Sequence, residues 1–480
     1  MLRYIRPLIL LCLVVVVLWP TGWAAAQDVT PSGPIYIVQS GDTLWSISLR
    51  FGVSQADLQA ANNISDPSQI RAGDKIIIPG MEGIQGVLTT QEVPFGETLH
   101  SLSQRYQVAE DTLIQLNHIT SPQELYAGSA LVIPQNEETP APGLRLALPA
   151  GQSLLELAIA NGSDPYSLAA ANGLDGTWAA LPGEVLRLPG PQDDGPGALP
   201  SAITSVELTR LTQGVTAQLD LVGAPGLALS GSLVGHAVSF FPLAEGRYVA
   251  LTSVYAMLKP GIYPLTLQGT LPDGAPFAFS QQVLVQSGEY LTRLTPLIVD
   301  PAGLDPAITR PEDEMWNALA QPATPQRYWE GVFQYPMPAL YLDGYSDYFG
   351  VRRYYNDDPT LYFHTGLDIP AAIGVEVYTP AAGKVVFAGH LAVRGCAIMI
   401  DHGWGIYSGM MHIQEDPDTK ECIGILVEVD QQVDAGQVIA LVGNTGLRTT
   451  GSHLHWEMWA GGVQVDPMDW LVQQFPYSEL

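Results

Sequence analysis

Two short stretches carry the residue types best suited to hold a metal ion and move protons: His364-Thr365-Gly366-Leu367-Asp368 and Gly451-Ser452-His453-Leu454-His455-Trp456-Glu457. Side chains alternate faces along a β-strand, so residues two or four apart point the same way. On that basis His364 and Asp368 share one strand face, and His453 and His455 share another. Two such strands laid side by side gather three imidazoles and a carboxylate in one groove. Zinc favours N and O donors, and a catalytic zinc typically takes three protein ligands with a water in the fourth position. A set of four therefore leaves one group free to handle protons. His412, in Ser408-Gly409-Met410-Met411-His412-Ile413, stands in the same period-2 relation to Met410 on an apolar strand.

His-x-x-x-Asp followed much later by His-x-His resembles the lysostaphin-type (LytM) zinc metallopeptidases, which cut the peptide cross-links of peptidoglycan. The surrounding residues agree over roughly the last 140 of the chain. Tyr348-Phe349-Gly350-Val351-Arg352 resembles the family's opening strand and Ile400-Asp401-His402-Gly403 its central strand. Val433 to Ile439 and Val442-Gly443-Asn444-Thr445-Gly446 resemble the approach to His-x-His, and Val465-Asp466-Pro467 its close. The resemblance implies that His364, Asp368 and His455 are ligands of Zn2+. It implies that His412 and His453 act on the water and the transition state, in an order the residues leave open. Two departures bear on peptide specificity. The family's Tyr-x-His-Leu-Ser is replaced by Met411-His412-Ile413-Gln414, and residues 414–424 are longer and more acidic than the family pattern.

The elements that must position these residues begin far upstream. The first residues read as a secretory signal peptide (1–26): a basic start at Arg3 and Arg6, an apolar run from Pro7 to Trp19, then Ala24-Ala25-Ala26. An exported, extracellular or envelope-located chain follows from that, with no membrane contact after cleavage; the alternative is that the same segment stays uncleaved as a membrane anchor. Net charge is −28, from 48 acidic and 20 basic residues, which excludes nucleic acid as a partner because a basic surface would be required. Past the leader only Cys396 and Cys422 remain, and in an exported protein such a pair reads as a disulfide.

Gly41-Asp42-Thr43-Leu44 recurs as Gly96-Glu97-Thr98-Leu99 and Gly151-Gln152-Ser153-Leu154, a step of 55 residues. Asn62, Asn117 and Asn172 keep the step, as do Pro79, Pro134 and Pro189, which marks an internal repeat. In the first copy Tyr36-Ile37-Val38 reads as a strand and Asp42 as the helix N-cap. Leu44, Ile47 and Phe51 fall on one helical face, Gly52 is the stop, a second helix carries Leu58, and Lys75 to Pro79 returns as a strand. This resembles the LysM module, a βααβ fold that binds N-acetylglucosamine-containing glycans. The modules span 35–80, 91–135 and 145–190, the third degenerate, with Asn161 in place of an aromatic. Polar Pro/Gly-rich stretches at 135–140 and 190–196 imply separate modules.

Residues 201–290 alternate in short runs split by turns such as Pro260-Gly261 and Asp273-Gly274, which suits a β-sandwich. That stretch resembles the immunoglobulin-like domain found before some of these peptidases. A linker (291–340) follows with a helix that has Pro311 near its first turn and Met315, Trp316 and Leu319 on one face. The whole is multidomain: α+β LysM modules, a β-sandwich, and an all-β peptidase domain at 341–480. The expected activity is zinc-dependent endopeptidase action on peptidoglycan, held to the wall by the glycan-binding repeats. The alternative is a non-catalytic LytM-type activator of a cell-wall amidase, which the full ligand set argues against. His100, His118 and His236 read as surface or packing residues, and His402 as a turn or supporting residue.

Overall fold

The structure is a computed structural model describing residues 33–135, 143–189 and 197–477, apart from single positions 82, 201, 273, 343 and 450. The expected leader and residues 136–140 and 190–196 of the expected linkers lie outside the described residues. Contacts divide the chain into two compact units, Met1–Gln85 and Gly86–Leu480. Among the described residues no helix is long and apolar enough to cross a membrane.

In the first unit the strand Ile35–Ile37 pairs antiparallel with Lys75–Ile77, and the helices Leu44–Phe51 and Gln55–Asn62 lie between them in sequence. Leu44, Ile47, Phe51 and Leu58 are buried, as their helical spacing requires. Gly52 ends the first helix in the left-handed region, which costs glycine little. The N-cap is Thr43, not Asp42. Thr43 Oγ1 accepts from Ser46 N at 3.0 Å, and Thr43 N donates to Ser46 Oγ at 2.9 Å. Asp42 is drawn away because it accepts from Tyr36 Oη at 2.6 Å and from Gln39 N at 2.8 Å.

The recurring asparagine has a physical reason. Asn62 accepts from Ile77 N at 2.7 Å and donates to Ile77 O at 2.8 Å, so its amide clamps the second helix to the returning strand. Asn117 makes the same pair of bonds with Val132, and Asn172 with Arg187. The degenerate third copy therefore keeps the fold, with Leu154, Leu157 and Leu168 buried.

The second and third repeats are not free-standing modules, contrary to the expectation from the linkers. Glu97 of the second repeat and Arg145 of the third meet at 2.7 Å with neither side chain exposed, and Arg105 adds a contact at 3.0 Å. Gln281, from the sheets downstream, accepts from Gly96 N at 2.9 Å. Tyr126–Ala127 of the second repeat also pairs in parallel with Gln282 and Val283. A carboxylate buried among guanidinium groups cannot be lifted out without leaving charge unpaired, so these elements form one body.

Residues 203–286 form two mainly antiparallel sheets, with Leu211–Thr212 joining Pro276–Gln286 in parallel. Leu219, Leu221 and Ala250 of one share a core with Leu233, Leu265, Leu267 and Val283 of the other. The helix that follows runs Pro306–Leu319, capped by Asp305, so it starts five residues earlier than Pro311 suggested. Pro306 takes the favoured first position and Pro311 lies inside the helix. Trp316 is fully buried against Ala397, Met399, Tyr407 and Met411.

The C-terminal region is built on a sheet in the order Leu367–Pro370, His453–Ala460, Ile406–Ile413, Gly395–Gly403, Gly383–Leu391, Gln432–Val433, with Val463–Val465 also paired to His453–Ala460. Ile398, Ile400, Met410, Leu454, Trp456 and Met458 fill the main core on one face, and Ala397, Met399, Tyr407 and Trp459 meet Trp316 on the other. Both faces are covered, which is why these strands read as near-continuous apolar runs. A short helix, Pro467–Val472, makes the region strand-rich and not all-β. Cys396, inside the strand Gly395–Gly403 and not ahead of it, is bridged to Cys422.

Removing the buried carboxylate tests the fused-body description. Glu97→Ala removes the carboxylate that Arg145 and Arg105 share and should cost about 3–5 kcal/mol, read as a lower denaturant midpoint for the full chain. An unchanged midpoint would contradict it.

Candidate metal centre

The site exists because Leu367–Pro370 lies beside His453–Ala460 in one register, Asp368 opposite His455 and Pro370 opposite His453. His453, His455 and Glu457 alternate onto one face of their strand, while Leu454, Trp456 and Met458 drive the other face into the core. His364 reaches the same point by another route. It does not share a strand with Asp368, because the chain breaks at His364–Gly366 before Leu367–Pro370 begins. Gly366 is needed there: a Cβ at that position would lie 2.3 Å from the Trp456 carbonyl oxygen.

Three ligand-type atoms meet. His364 Nε2 lies 2.9 Å from Asp368 Oδ1 and 3.0 Å from His455 Nδ1, and the last two are 2.7 Å apart. Each ring is oriented by its other nitrogen. His364 Nδ1 donates to the Tyr348 carbonyl at 3.0 Å, and His455 Nε2 faces Glu457 Oε1 at 3.5 Å. With both rings neutral the inward atoms all carry lone pairs, and a cation between them takes the place of the proton that otherwise joins His455 Nδ1 to Asp368 Oδ1. A tetrahedron with bonds of about 2.0–2.1 Å has edges of about 3.3–3.4 Å, so these atoms need part by only a few tenths of an ångström to accept zinc.

Without a metal ion, a proton on His455 balances the two carboxylates instead. Burial lowers the His455 pKa, yet Asp368 and Glu457 overcome it and raise it to about 9. Burial would raise Asp368, but His364 and His455 hold it well below the usual carboxylate range. Burial likewise opposes ionisation of Glu457, and His455 with Arg394 brings it down to about 2.

His412 and His453 stand beside this triangle with ring centroids 4.7 Å apart. His412 Nδ1 donates to the Thr445 carbonyl and His453 Nδ1 to the Gly451 carbonyl, each at 2.7 Å, so each ring is held by its Nδ1. His453 Nε2 lies 3.5 Å from Asp368 Oδ1. Burial, with His453 and His455 nearby, pushes the His412 pKa down to about 3. The period-2 relation of His412 to Met410 does not hold. A bulge opposite Ala397 puts two residues against one, His412 adopts φ 59°, and Ile413 returns to the core that Met410 faces. The bulge turns His412 out of the core and onto a pocket of about 160 Å³ that also exposes His364, Asp368, His453 and His455.

The other histidines stay apart. His402 bonds Ala382 O at 2.8 Å and Ser408 Oγ at 2.7 Å, away from the triangle, and burial lowers its pKa to about 4. It supports the strands and not the ligands. His390 and His100 pair with Glu415 and Glu110.

One functional side chain went unassigned in the reading of the sequence. Glu457, fully buried, faces His455 and accepts from Trp316 Nε1 at 2.9 Å and Trp459 Nε1 at 3.1 Å. The alternation His453, His455, Glu457 was a signal for it; the tie to Trp316 was not, since that residue lies 141 positions away. A carboxylate behind a ligating imidazole fixes its tautomer and raises its basicity. Glu457→Gln should therefore weaken zinc binding by about 10–100-fold, read by competition with a chromophoric chelator. Unaltered affinity would remove Glu457 from the metal centre.

Residues 362–467 match Peptidase family M23, and residues 36–79 and 92–134 match the LysM domain. The chain is 35% identical over 123 residues to peptidoglycan DD-endopeptidase ShyA of Vibrio cholerae, covering 26% of each chain. It is 34% identical over 105 residues to DD-carboxypeptidase/endopeptidase Mpg of Neisseria meningitidis, covering 22% of each. The chain thus spans about a quarter of the length of these curated relatives. Among solved structures, a zinc containing peptidase from Vibrio cholerae aligns over 90% of this chain and 98% of that one, at 16% identity and a TM-score of 0.27.

Proposed function

We propose that this chain, which carries LysM domains and a C-terminal Peptidase family M23 domain, is a secreted zinc metalloendopeptidase that hydrolyses peptide cross-links of peptidoglycan. The observation that carries the reading is the meeting of His364 Nε2, Asp368 Oδ1 and His455 Nδ1 in one pocket, their outer nitrogens already engaged. On this reading these three hold the metal, and His412 and His453 handle protons. Zinc held there would supply Lewis acidity, to polarise the scissile carbonyl and to lower the pKa of the attacking water to about 7.

The chain's own residues do the rest. His412 and His453 each present Nε2 with the ring locked by a backbone carbonyl, so neither pays reorientation entropy at the moment of proton transfer. One takes the proton of the attacking water, and the other donates to the developing oxyanion or the leaving amine. Asp368 and the buried Glu457 keep negative charge close to the ligand imidazoles. The repeats at 35–80 and 91–135 bind N-acetylglucosamine-containing glycan, the degenerate copy at 145–190 packs against the second, residues 201–290 form an immunoglobulin-like support, and residues 341–480 form the peptidase domain.

Ligands and proton handlers separate by substitution. His455→Ala and Asp368→Ala should lose zinc and hydrolysis together. His412→Ala and His453→Ala should keep near-stoichiometric zinc while muropeptide release falls by about 10²–10⁴-fold. If His453→Ala loses zinc as His455→Ala does, the division of roles is wrong. Deleting residues 1–85, a compact unit, should reduce pelleting with insoluble peptidoglycan; undiminished pelleting would make the first repeat a spacer.

A further inference from the structure

The pocket over the three ligand atoms is walled by guanidinium groups. Four of the chain's 20 basic residues line it, in a chain with 48 acidic ones: Arg293, Arg353, Arg394 and Arg448. Arg394 is neutralised, with Nη1 2.9 Å from Glu312 Oε1 and Nη2 2.8 Å from Asp313 Oδ1. The other three are not. Arg353 and Arg293 share one carboxylate, Asp347, at 2.7 and 3.5 Å. Arg448 donates Nε to the Gly303 carbonyl at 2.8 Å and lies against the rings of Tyr355 and Tyr362, with no carboxylate within 4.0 Å among the described residues.

Arg353 is the most telling of the three. It sits on the strand Arg352–Arg353, which pairs with Tyr362–Phe363 immediately before His364, and only 4% of its surface is exposed. Its Nε has no hydrogen-bond partner. A buried guanidinium is costly unless its donors are satisfied. The Arg353 side chain also lines the pocket, so an acceptor entering there can take up donors that the fold leaves unmet once the side chain shifts to meet it. Asp347, Asp368 and Glu457 line the same pocket and balance these three groups, so a divalent cation on the three ligand atoms would leave it with an excess of about two positive charges, and a cleft of this kind concentrates anions.

We propose that Arg353, with Arg293 and Arg448, forms an anion subsite that positions a free carboxylate of the substrate peptide beside the metal centre. The chain then selects cross-linked peptides by whether that carboxylate is free or amidated. A planar guanidinium meets a carboxylate in a two-bond fork that an amide cannot reproduce, since one of its two polar atoms is itself a donor. The proposal rests on the peptidase reading, because only a peptide lying across the ligands brings its carboxylates to these arginines.

The probe is a pair of N-acetylated, cross-linked muropeptides, one with free carboxylates and one with the same carboxylates converted to amides by a carbodiimide and ammonium chloride. The zinc-loaded full chain should cleave the free form with a kcat/KM at least about 10-fold higher, as expected for a charge-assisted pair. Arg448→Gln and Arg293→Gln should each pull that ratio toward one, and Arg353→Lys should do so while keeping the buried charge. A ratio near one for the unmodified chain, or a ratio undiminished in the Arg293→Gln/Arg448→Gln double variant, overturns the subsite. If neither peptide is cut, the peptidase reading fails, and calorimetric titration of both peptides into the full-length His412→Ala chain decides the subsite separately. Tighter binding of the free form by about 10-fold supports it, and equal binding overturns it.

Discussion

Everything at the metal centre depends on the register that sets Asp368 opposite His455. Side chains alternate with a period of two, so a slip of one residue would turn His453, His455 and Glu457 into the core and Leu454, Trp456 and Met458 out of it. The apolar face enforces the register, since Leu454, Trp456 and Met458 have no exposed surface. Burying three such side chains outweighs any local preference of the polar ones. The core thereby holds the ligands at fixed separations, at no expense to the site's chemistry.

The second constraint comes from outside the sheet. Helix Pro306–Leu319 delivers Trp316 to Glu457 and Glu312 to the Val393 and Arg394 amides, at 2.8 and 3.1 Å. Arg394 O in turn accepts from His412 N at 3.2 Å, while Thr445, whose hydroxyl bridges Cys396 N and Ile413 O, offers its carbonyl to His412 Nδ1. The Cys396–Cys422 bridge anchors the strand end from which this network starts. His412 occupies a backbone region that disfavours a branched or bulky side chain, and it stays there because several bonds over-determine it.

The candidate ligand residues were legible as a cluster because their chemistry is rare and most of their spacing follows strand geometry. His453 and His455 lie where alternation puts them. His364 was identified for the wrong geometric reason, since a break at Gly366 and not a continuous strand brings it to Asp368. The bulge at His412 was invisible, because an extra residue in one strand leaves no mark on a run as apolar as Ile406–Ile413. Asp42 and Thr43 are both good caps, and only the competing bond from Tyr36 decides between them. The joining of the second and third repeats was equally hidden. Glu97 and Arg145 look like ordinary surface charges until the fold buries them together.

The central claim is a three-ligand site of two imidazoles and one carboxylate with one position open. X-ray absorption fine structure on the zinc-loaded chain tests it most directly. The account predicts N and O scatterers at about 2.0–2.1 Å, with outer-shell scattering from two imidazole rings and one further oxygen completing four-coordination. A third or fourth imidazole in the fit would place His412 or His453 on the metal and close the site. That result would contradict a catalytic centre of the kind described.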